Sequence, residues 1–71
     1  MYTIDKETRA RMGLELATKR QEHADLDGAI HAMISAGTAD QMALQRLKKK
    51  KLVLKDRIVE LEKFLLPDII A

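Results

Sequence analysis

Apolar side chains recur along this chain with the period of a helix, in two long stretches. In the first, Met12, Leu16, Lys19, His23, Leu26, Ile30 and Met33 follow at alternating steps of four and three residues. In the second, Leu44, Leu47, Lys51, Leu54, Ile58, Leu61 and Leu65 step by three and four. Such alternation keeps one stripe turned towards a partner helix, the seam of a coiled coil. Neither stretch shows the apolar–polar alternation of a strand. The fold class this predicts is all-α, an antiparallel two-helix hairpin with coiled-coil-like packing.

The break between the stretches is Ser35-Ala36-Gly37-Thr38-Ala39-Asp40-Gln41. Gly37 suits the left-handed position just past a helix C-terminus. Thr38 with Gln41 has the spacing of a capping box, and Asp40 favours the positive end of a new helix. One helix therefore stops and the next starts within a few residues, so the chain must fold back on itself. The boundaries expected are helix 1 over about 5–36, a turn at 36–38, helix 2 over about 39–66 and an apolar tail at 67–71, in a single domain of 71 residues. Asp5 is the expected cap of helix 1, and Pro67 the stop of helix 2. Gly28 is read as permitting close helix approach, and Gly13 as marking a bend of the N-terminal turns.

Folding back at Gly37 sets Ile30 against Leu44, Leu26 against Leu47 or Lys48, and Leu16 against Ile58. Two polar seam residues, His23 and Lys51, then meet. With Asp27 pairing Lys48, the residues His23, Asp27, Lys48 and Lys51 make a polar layer in an otherwise apolar seam. Such a layer fixes register at a cost in stability.

Composition narrows the chemistry. A chain this short seldom buries enough apolar surface to stand alone, and with no cysteine it has neither disulfides nor thiolate metal sites. Self-association into a helical bundle is the expectation. A second apolar stripe, Leu52, Val59 and Leu66, runs beside the main seam, and Ala10, Ala17 and Ala24 form a flat flank on helix 1. The stripe is the expected interaction surface, for a second copy or another protein.

The sequence also resembles a known family. Glu22-His23, Leu26-Asp27 and Ile30, followed by Leu47-Lys48-Lys49-Lys50-Lys51-Leu52-Val53-Leu54-Lys55-Asp56-Arg57-Ile58, resemble the pattern of the YdcH-like family of short bacterial proteins, catalogued as a domain of unknown function. The resemblance spans about residues 19–61, and Pro67-Asp68-Ile69-Ile70-Ala71 is similar to the tail of some members. It implies a helical hairpin and a bacterial source, and it brings no established activity.

Net charge is +2, but residues 1–35 carry five Lys/Arg against six Asp/Glu while residues 36–71 carry eight against five. The basic half is dominated by Lys48 to Lys51. Consecutive helical residues point about 100° apart, so only Arg46, Lys49, Lys50 and Arg57 are expected to share an outward face. These are the candidate phosphate contacts of an alternative reading, a small nucleic-acid-associated protein. Asp56 and Glu60 dilute that face, and no aromatics interleave for base stacking.

No metal site is expected, because His23 and His31 stand about 12 Å apart along a helix and a lone His–Asp pair is too few ligands for zinc. No cofactor and no catalytic residue are expected either. There is no glycine-rich phosphate loop, and Ser35 in the turn is the single serine. The longest uncharged run, Gly28 to Ala39, falls short of the ~18 residues of a membrane span. The charged first residues do not resemble a secretory signal, so a cytoplasmic location is expected. The expected occupation of this non-enzyme is to self-associate and to contact another protein, with its apolar tail packed over Tyr2 and Ile4 or over a neighbouring subunit.

Overall fold

The computed structural model of the chain describes residues 5–37 and 40–66. Helix α1 runs Lys6–Ala36 and helix α2 runs Gln41–Leu65, and they pack against each other as a hairpin. No strand occurs among the described residues.

Each helix end has a local cause. Asp5 sits in extended backbone and its carboxylate accepts the Thr8 N–H at 2.7 Å, satisfying a donor that the first turn leaves free. The same interaction holds the Asp5 carboxyl below its ordinary range. At the other end Gly37 takes the left-handed conformation, with φ of 67°, and its N–H donates to the Ile34 carbonyl at 3.1 Å.

Helix α2 starts later than the expected position 39. Asp40 is its cap, with Oδ1 accepting the Met42 N–H at 3.2 Å, so the first helical residue is Gln41. Thr38, the expected cap, lies outside the described residues. The helix ends at Leu65 rather than 66, with Leu66 at φ −132° and ψ 59°. Leu66 precedes Pro67, and the proline ring disfavours helical backbone in the residue before it. The expected contacts of the tail 67–71 with Tyr2 and Ile4 fall outside the described residues.

The glycines of α1 leave the helix continuous, and no boundary falls at Gly13. A Cβ built at Gly28 would meet nothing within 4 Å, so the hairpin itself does not require the close approach.

The core is small. Leu16, Ile30, Leu44, Ile58 and Leu61 are its buried apolar side chains, with Leu61 at 0% exposure. Leu16, Ile58 and Leu61 cluster at the open end with Met12 and Leu65 packed against them, while Ile30 and Leu44 lie nearer the turn. Leu26, Met33, Leu47 and Leu54 are only half-buried, because a single facing helix covers less than half of each helix's circumference. The result is a rod of 50 × 23 × 18 Å with a radius of gyration of 15.5 Å, against about 11 Å for a compact chain of this length.

Candidate functional site

Between the open-end cluster and the buried Ile30 and Leu44 the seam turns polar. Lys51 reaches across from α2 and its ammonium donates to Asp27 Oδ1. That hydrogen bond is the main cause of the lowered Asp27 carboxyl pKa, with lesser contributions from the charges of Lys51, His31 and His23. Asp27 was expected to pair with Lys48. The longer reach across the seam goes instead to Lys51, which points inward and is half-buried, whereas Lys48 is exposed. His23 is half-buried beside them. His31, one turn further on, places Nδ1 at 3.0 Å from the Asp27 carbonyl oxygen and 3.9 Å from its carboxylate. These groups, with Ile30, Lys48, Leu52 and Lys55, line an open groove of about 540 Å³ on one side of the hairpin. Among the described residues no three His, Cys, Asp or Glu side chains gather as a metal site would need.

Ion pairs flank the seam on both sides. Arg57 binds Glu15 in bidentate fashion, Nε to Oε2 at 2.7 Å and Nη2 to Oε1 at 2.8 Å, and also donates to Glu60. The guanidinium holds the Glu15 carboxyl below its ordinary range, and Arg57 itself is raised by Glu15 and then Glu60. Arg20 Nη2 meets Glu62 Oε2 at 2.8 Å. Glu15 and Arg20 lie about 140° apart around α1, so these two pairs close opposite edges of the seam. At the open end Arg9 Nη2 donates to the Leu65 carbonyl at 3.2 Å, satisfying a free acceptor at the α2 C-terminus.

The expected phosphate face is therefore changed. Arg57 is bound to two carboxylates and half-buried, so it does not belong to it. Arg46, Lys49 and Lys50 do share an outer surface, together with Leu47 and the exposed Val53. Among the described residues Arg46, Lys48, Lys49, Lys50 and Lys55 form no ion pair. The hairpin thus carries unbalanced positive charge around the turn-proximal half of α2.

The second apolar stripe lies clear of the core, with Leu52 at 65% exposure and Val59 and Leu66 half-buried. Ala10, Ala17 and Ala24 are exposed. Sequence reasoning did not single out Leu14 and Val53, which are 71% and 63% exposed on outer faces. Their signal was present, since both fall off the three–four stripe, yet an apolar residue off the stripe has no assigned place until the helix orientation is known.

No helix among the described residues is long and apolar enough to cross a membrane. Residues 16–62 match the family described as Protein of unknown function (DUF465), to which YdcH-like proteins belong. The chain is a member of that family of small proteins. The match covers the polar layer, the Arg20–Glu62 ion pair and most of the core, so it is the hairpin itself that the family pattern encodes. Comparison with curated proteins and with solved structures gave no match.

Proposed function

We propose that this chain is a bacterial cytoplasmic interaction module that self-associates through a side of the hairpin and contacts another protein, with no catalytic role of its own. The observation that carries the reading is the mismatch between core and surface. Among the described residues five side chains form the buried apolar core, while Leu14, Ile34, Met42, Leu52, Val53 and Phe64 stand exposed. The chain exposes 5796 Å², where a compact protein of its mass exposes about 4,500 Å².

A second reading is favoured by the ion-pair-free cations of α2: that Arg46, Lys49 and Lys50 hold phosphates of a nucleic acid. The two readings separate by experiment. Changing Leu52 and Val59 both to Asp should dissolve the assembly, followed by light scattering, while helical circular dichroism is largely kept. Changing Lys49 and Lys50 both to Glu should leave the assembly intact. If instead a nucleic-acid complex is found whose affinity falls steeply with salt and is lost in the Lys49/Lys50 variant, the phosphate reading replaces the first.

A further inference from the structure

We infer that the partner on the groove side is a second copy of the chain, related by a twofold axis parallel to the helices, so that α1 of each copy lies on α2 of the other. This rests on the self-association reading and specifies its geometry.

Both stripes singled out in the sequence belong to one face. The Arg20–Glu62 ion pair marks that side of the seam. Ala17 and Ala24 lie three residues before and four after Arg20, and Val59 and Leu66 lie three before and four after Glu62, which sets each pair next to the ion pair on its own helix. In the register fixed by Leu16 against Ile58 and Asp27 against Lys51, Ala10 falls level with Leu66, Ala17 with Val59 and Ala24 with Leu52, within about a residue's rise. At three levels, one heptad apart, a small side chain on α1 stands beside a bulky one on α2.

A twofold axis along the rod keeps each level and exchanges the helices. Each bulky side chain then sits over a small one of the other copy, which is how facing layers interdigitate. The alternative axis, across the helices, would stack bulky on bulky and leave the small residues facing one another over a gap. Gly13 and Gly28 support the same choice. Each weakens α1, neither is needed for packing within the hairpin, and both project onto the small-residue face, where a neighbouring helix approaches closely.

Charges agree with the size pattern. In the same register Asp27 of one copy comes level with Lys48 of the other, and Arg20 with Asp56. Lys48 and Asp56 have no ion-pair partner within the hairpin among the described residues. Lys55, next to Asp56, has a stem long enough to carry its ammonium out to solvent. All four neighbouring helix pairs of the resulting bundle are antiparallel, with both turns at one end.

The chain has no cysteine, so engineered thiols report without background. Ala17→Cys chains mixed with Val59→Cys chains should form a disulfide between the two species on mild oxidation, and Val59→Cys chains alone should not. Ala17→Leu, at a position exposed in the hairpin, should weaken the dimer at unchanged helix content. Cross-linking by Val59→Cys alone would overturn the axis proposed. A dimeric mass without the mixed cross-link would overturn the face while leaving self-association standing, and a monomeric mass would overturn both.

Discussion

At the scale of single residues, the burial of each leucine decides its worth. Leu61 is fully enclosed by the open-end cluster, so Leu61→Ala removes packed atoms and leaves a cavity. That should cost about 2–5 kcal/mol of unfolding free energy. Leu14, at 71% exposure on an outer face, should change stability by no more than about 0.5 kcal/mol on the same substitution. Chemical denaturation of both variants checks the pair, and equal losses would mean that the hairpin packs differently. The ion pairs give a pH signature. Glu15 and Asp27 have lowered carboxyl pKa values, held down chiefly by hydrogen bonds from Arg57 and Lys51. A depressed folded-state value stabilises the fold above the ordinary carboxylate range, and that contribution is lost as pH falls through the lower folded-state values. The melting temperature of the chain should therefore exceed that of Glu15→Gln near neutrality, and the gap should close as the pH falls below the ordinary carboxylate range and Glu15 takes up its proton. A gap of constant size down to acid would rule out the carboxylate as its source.

At the scale of the helices, the ends and the seam obey different rules. Gly37 holds positive φ at the α1 C-terminus, where a Cβ would meet no neighbour but would strain the backbone. Gly37→Ala should destabilise the hairpin by about 1 kcal/mol, read from thermal melts, and a neutral result would mean that the turn relaxes to another form. The seam was legible in the sequence because a three–four spacing fixes one face of each helix, and Gly37 fixes where the chain folds back. That placed Leu16 with Ile58, and His23, Asp27 and Lys51 in one region. It did not place the ion pairs, since Lys48 and Lys51 both lie within reach of Asp27 and only the orientation of α2 chooses Lys51. Arg57 was misplaced for the same reason. A residue on the flank of a seam looks outward on a single helix, and it turns inward once Glu15 faces it across the junction. The cap of α2 likewise depended on which of Thr38 and Asp40 the turn brings to the helix start.

At the scale of the whole molecule, the hairpin is a rod whose apolar positions outnumber what two helices can cover. Its polar centre separates the open-end cluster from Ile30 and Leu44 nearer the turn, and ion pairs close the edges of the seam. One side combines the Leu52–Val59–Leu66 stripe with the small residues of α1, and the outer face of α2 combines Val53 with unpaired lysines. In the dimer proposed on the groove side, the basic faces of α2 remain outward. Sedimentation equilibrium over a wide concentration range decides whether the hairpin self-associates. The expected result is a mass of twice the 8.1 kDa chain, falling towards a single chain only on dilution, whereas a mass of 8.1 kDa at every concentration would contradict self-association.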